Sequence, residues 1–238
     1  MSMVAEDHYR LCVVRSATVA RPEDLRTPLD LLLAALPLKF FGTTTALEAV
    51  PVTSKEDDTL RRFLESAALS NPAGRAPTDP THEVRFFTQA AAPDAIVDLH
   101  LTWGGQPGFV AELRLGRDAA PPPRTSTLRR LFDTMVKTFR PDFAFIDLPR
   151  RANAPQRPGE LVFGWATYVT RRWPVRSVVP PPGRAIEVPY GGTVLLATID
   201  LKDEFSADVV AHVEAIEKFA RPILGSPGTS LRPPPPKS

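Results

Sequence analysis

The chain has 238 residues, enough for one large domain or two small ones. Hydrophobic residues make up 43% and charged residues 24%, which excludes a wholly disordered chain. With 29 basic and 27 acidic side chains the net charge is +2, too small for the footprint of a nucleic-acid binder. A single cysteine, Cys12, excludes an internal disulfide and a cysteine cluster for a metal.

The N-terminus places Glu6, Asp7 and His8 ahead of a short apolar run, unlike the basic start of a secretory signal. Tyr9 to Val14 is rich in β-formers and is expected to be a strand, with Cys12 as a small core residue. Pro22 to Leu36 reads as a helix with Pro22 in its first turn and Pro37 as its stop or, because Pro28 falls within it, as a turn followed by a helix. Its apolar stretch, Leu29 to Leu36, contains Asp30 and falls short of the about 20 residues of a membrane span. The expected location is the cytoplasm, with no membrane partner.

Thr53 to Leu69 is expected to be a second helix, with Ser54 and Asp57 resembling a capping box. Glu56, Asp57 and Asp58 suit that helix N-terminus and form a candidate docking site for a basic partner. Beyond a proline loop the hydrophobic period changes to two. Glu83–Phe87, Ile96–Leu101 and Phe109–Leu115 then read as an antiparallel meander, with Glu112 and Arg114 on the face opposite Ala111, Leu113 and Leu115.

A helix from Ser126 to Phe139 has the stripe Leu128, Leu131, Phe132, Met135, Val136 and Phe139. Arg129 and Arg130 lie off that stripe and, without a flanking basic patch, read as solvated. Asp142–Ile146 reads as a short buried strand. Phe163 to Val169 is the most aromatic stretch, and Trp173 follows it. Ala185–Val188 and Gly192–Ile199 read as a strand pair, and Ser206 to Leu224 as the last helix. The prolines of residues 225–238 suit a disordered tail. The expected architecture is a single α+β domain over residues 1–224, with an antiparallel or mixed sheet and about four helices.

Chemical motifs are scarce. There is no phosphate-binding glycine loop, no His-Glu-x-x-His and no Gly-x-Ser-x-Gly elbow. His8, His82, His100 and His212 are scattered, while Glu112, Asp142 and Asp147 would need the fold to bring them together. No catalytic residue, metal ligand or cofactor site is expected, and the chain is not read as an enzyme. Trp165, Tyr168 and Trp173 offer two readings: core packing, or the aromatic anchors of a binding surface.

From the Ser126 helix onward the chain resembles the immunity protein 52 family of bacterial polymorphic toxin systems. The resemblance runs over about Leu128 to Leu224. It rests on the helix ending at Phe139, the strand Asp142–Phe145, Gly164-Trp165-Ala166-Thr167-Tyr168, the turn Tyr190-Gly191-Gly192, the strand Thr193–Ile199, and a closing helix with Val209, His212 and Val213. It implies an α+β protein that binds a cognate secreted toxin in the cytoplasm of the producing cell. That toxin is expected to be a nuclease of restriction-endonuclease-like type, inhibited by steric blockade. Such a toxin has a basic substrate surface, so local acidic patches are expected to guide binding. The candidates are Glu56, Asp57 and Asp58, and Asp200, Asp203 and Glu204 before the last helix, with Trp165, Tyr168 and Trp173 as aromatic contacts. Two other readings are a hydrolase of unrecognised type and an adaptor subunit of a secretion system.

Overall fold

The computed structural model describes residues 8–16, 22–35, 40–44, 47–52, 82–87, 97–103, 108–116, 124–148, 162–171, 179–199 and 207–224. Ten strands form one sheet: β1 (His8–Arg15), β2 (Phe40–Thr44), β3 (Leu47–Val52), β4 (His82–Phe87), β5 (Val97–Trp103), β6 (Phe109–Gly116), β7 (Phe143–Asp147), β8 (Ala166–Val169), β9 (Arg184–Glu187) and β10 (Thr193–Leu196). Their order is β3-β2-β4-β5-β6-β1-β7-β8-β10-β9, and each pairing is antiparallel. The fold is α+β, with the antiparallel of the two expected sheet types.

Three α-helices are described: α1 (Arg26–Ala35), α2 (Thr125–Phe139) and α3 (Ala207–Leu224). Against the expected about four, three α-helices are found among the described residues; Pro22–Leu25 forms one 3-10 turn that leads into α1, which matches the turn-then-helix alternative there. The helix expected over residues 53–69 and the tail 225–238 lie outside the described residues.

Strand β1 lies between β6 and β7, and α2 joins those two strands. The pleat sorts side chains onto two faces. On one, Leu11 is opposite Leu113 and Ile146, and Val13 opposite Ala111 and Ala144, all fully buried. Phe109 on this face meets Phe139 of α2 at 5.2 Å between ring centres. The α2 stripe Leu128, Leu131, Phe132, Met135, Val136 and Phe139 is buried as its spacing requires. Arg140 ends the helix in the left-handed conformation, its N–H donating to Val136 O at 3.0 Å.

The opposite face is split. Over β7 and β8 it is apolar: Phe143 meets Phe163 edge-on at 5.9 Å, and Arg221 of α3 sits above the Phe163 ring. Val209, Val213, Ile216 and Ala220 are the buried face of α3. Over β4, β5, β6 and β1 the same face carries charge. Arg85 forks onto Asp98 with two bonds of 2.8 Å, and Glu112 accepts from Arg10 at 2.9 Å and from Arg114.

Candidate functional site

The residues that carry the family resemblance meet in space. Tyr168 on β8 donates its hydroxyl to the carbonyl of Gly191 in the β9–β10 turn, and its ring stands 6.4 Å from that of Tyr190. Gly192 has φ +111°, and a Cβ there would lie 2.7 Å from the Tyr168 hydroxyl, so only glycine fits. Trp165 is fully buried and donates Nε1–H to Thr198 O at 3.0 Å, while Ala197 N–H returns a bond to Trp165 O at 2.9 Å. Gly164 lies against the backbone carbonyl of Ile146, where a Cβ would collide with the oxygen.

These contacts settle the packing half of the aromatic question. Trp165 and Tyr168 are core residues, 0% and 4% exposed. As folded, both rings are buried and support the β9–β10 turn. Trp173, Glu56, Asp57, Asp58, Asp200, Asp203 and Glu204 lie outside the described residues.

The outward face of α2 and this turn form a groove of about 810 Å³. Helical spacing places Ser126, Arg129, Arg130, Asp133, Thr134 and Lys137 together along the floor. Arg124 closes one end, and Tyr190 and Ile199 form the wall. Tyr190 is 37% exposed and Ile199 45%, both large apolar surfaces beside cations. Tyr190 donates to Asp133 Oδ1 at 3.1 Å, so the single carboxylate among the described residues of the groove already has a partner. Burial and then the Asp133 carboxylate push the Tyr190 phenol up. Arg124, Arg129, Arg130 and Lys137 form no ion pair with a described carboxylate. Beneath Tyr190 a smaller cleft of about 130 Å³ opens between α2 and the β9–β10 hairpin, lined by Phe132, Ala166, Ile186, Val194 and Leu196.

The helical spacing already sets Lys137 off the apolar stripe with Arg129 and Arg130; Arg124, the extended residue before the helix, joins them in the groove without a signal in that spacing. Tyr190 and Ile199 come from far along the chain, and no local pattern places them at α2.

The acidic groups that could have converged do not. Glu112 is held by Arg10 and Arg114, Asp142 accepts from Ser16 N–H and Oγ–H, and Asp147 accepts from Leu148 N–H. Among the described residues no three His, Cys, Asp or Glu side chains are grouped to hold a metal ion. Burial would raise the Glu112 carboxyl, but Arg10 and Arg114 outweigh it and hold it below its ordinary 4.5. Burial pushes the Cys12 thiol up to about 12, which keeps it protonated and unreactive at neutral pH. Among the described residues no helix is long and apolar enough to cross a membrane.

No protein-family model matches the chain, and no curated protein matches it. Among solved structures the fold is similar to that of the Pseudomonas aeruginosa T6SS protein PA0821. The TM-score is 0.50 at 14% identity, over 88% of this chain and 72% of that one.

Proposed function

We propose that this protein is an immunity protein that binds a cognate secreted toxin and neutralises it by occupancy, without chemistry of its own. The observation that carries the reading is the α2 groove. Its Tyr190 and Ile199 stand exposed beside arginines that have no ion-pair partner among the described residues. Tyrosine and arginine are the side chains that most often anchor a protein interface. The family resemblance agrees with this site, because its residues build the turn that presents Tyr190. The fold likeness to a T6SS protein is compatible with an immunity role.

The toxin is a nuclease of restriction-endonuclease-like type, blocked sterically in the cytoplasm of the producing cell. The test is co-expression of the adjacent gene product, alone and together with this protein. Growth rescue together with co-purification is expected; toxicity undiminished by the wild-type protein refutes the reading.

A further inference from the structure

We propose that the α2 groove takes an acidic segment of the partner protein, with one apolar side chain of that segment entering the cleft beneath Tyr190. The inference rests on the reading of this protein as a protein-binding inhibitor and names the chemistry of what it binds. Charge is the first argument. Among the described residues Arg124, Arg129, Arg130 and Lys137 line the groove with Asp133 as the lone carboxylate, and Asp133 is engaged by Tyr190. The whole chain carries only +2, while the described lining of this groove holds four cations against one carboxylate. A basic surface would be repelled here, and like charges across an interface exclude wrong partners.

Shape is the second argument. From Arg124 to Lys137 the helix rises about 20 Å, the reach of about six extended residues. The cleft of about 130 Å³ opens beside Arg129 and Asp133 and is walled by Phe132, Ile186, Val194 and Leu196. A cavity of about 150 Å³ takes a benzene ring, so this cleft suits one aliphatic or aromatic side chain. An apolar wall of Tyr190 and Ile199 favours a polypeptide over a nucleic acid, whose backbone supplies charge but no aliphatic group to fill a cleft.

The consequence for inhibition is specific. A nuclease holds its substrate on a basic track. A cationic groove cannot copy that substrate, so it covers an acidic surface of the toxin outside the track. Blockade then comes from the bulk of the docked inhibitor or from holding the toxin in one conformation.

The test uses the full chain and synthetic probes, and so does not depend on which toxin is the partner. Fluorescence anisotropy is measured with a Glu-rich peptide of about eight residues carrying a central Phe. Controls are the same peptide with Ala for Phe, its Lys-rich counterpart, and a short DNA duplex. The expected order of affinity places the Glu-rich Phe peptide first. The R129E/R130E variant should weaken it by about tenfold or more, and high salt should weaken it in the wild type. Both arginines are exposed, and circular dichroism of R129E/R130E checks that the fold is kept. A duplex that binds more tightly than the acidic peptide overturns the inference. So do equal binding of the Glu and Lys peptides, indifference to the reversal, and no binding of the acidic peptide at millimolar concentration. Growth rescue by the wild type alongside any of these results would leave the immunity reading standing and the acidic-segment inference refuted.

Discussion

Tyr190 donates its hydroxyl to Asp133 Oδ1 at 3.1 Å, joining two residues 57 positions apart in the chain. The bond fixes the β9–β10 turn against α2, and so sets the width of the groove and the roof of the cleft beneath it. Tyr190→Phe removes the bond at an exposed site and is expected to cost about 1 kcal/mol or less. Hydrogen exchange at the Gly191 amide should quicken, while the melting temperature stays close to wild type. An absorbance titration supplies a second readout. The Tyr190 phenol is raised by burial and by Asp133, so it ionises above the ordinary value of 10.0. Stability from this group is present below that pH and is lost as the pH rises toward the folded-state value.

Trp165 is buried in full and tied through Nε1 to Thr198 O. Trp165→Ala is expected to destabilise the fold by about 3–5 kcal/mol. Trp165→Phe should cost less, since it keeps most of the apolar volume and loses the donor. Urea midpoints of the two variants decide it; a midpoint unchanged in Trp165→Ala would contradict the core assignment.

Much of this fold was legible from period and punctuation. The alternation in Phe109–Leu115 placed Glu112 and Arg114 opposite Leu113, and the 3.6-residue stripe of α2 named its six buried residues. Both patterns are local and need no knowledge of what lies across from them. The hairpin β2–β3 escaped, because Phe40–Thr44 and Leu47–Val52 are short, one contains Gly42 and the other Pro51, and neither alternates cleanly. Pro51 is tolerated because β3 lies at the sheet edge. The groove was the least legible feature. Arg129 and Arg130 were visible, but Tyr190 and Ile199 reach them only through the sheet order that brings β10 and β9 beneath α2.

Gly164 shows why a glycine precedes Trp165. Its Cα packs on the Ile146 carbonyl, and an added Cβ would overlap the oxygen of a backbone held in β7. Gly164→Ala therefore cannot be absorbed by a side-chain rotation, and about 1–3 kcal/mol or more of destabilisation is expected. Thermal unfolding of Gly164→Ala beside an exposed-site control such as Lys137→Ala measures it; equal melting temperatures would contradict the close approach.

Glu112 is a buried carboxylate between two guanidinium groups. Glu112→Gln removes the carboxylate that Arg10 and Arg114 share, at an expected cost of about 1.5–3 kcal/mol. The carboxyl is held below 4.5 in the folded chain, so its contribution is present above that pH and is lost as the pH falls through the folded-state value. Unfolding free energies from neutral pH down into the acid range should fall more steeply for wild type than for Glu112→Gln. Parallel curves would show that the Arg10–Glu112–Arg114 cluster adds nothing to acid sensitivity.

Neutralisation by occupancy is tested most directly by titrating purified protein into a toxin from which it rescues growth in co-expression, and measuring residual toxin activity. A linear fall that reaches zero at equimolar protein is expected, with activity recovered once the two chains are separated in denaturant and the toxin is refolded. Loss of activity at a small fraction of equimolar protein, growing with time and persisting after separation, would show chemistry in place of binding and contradict it.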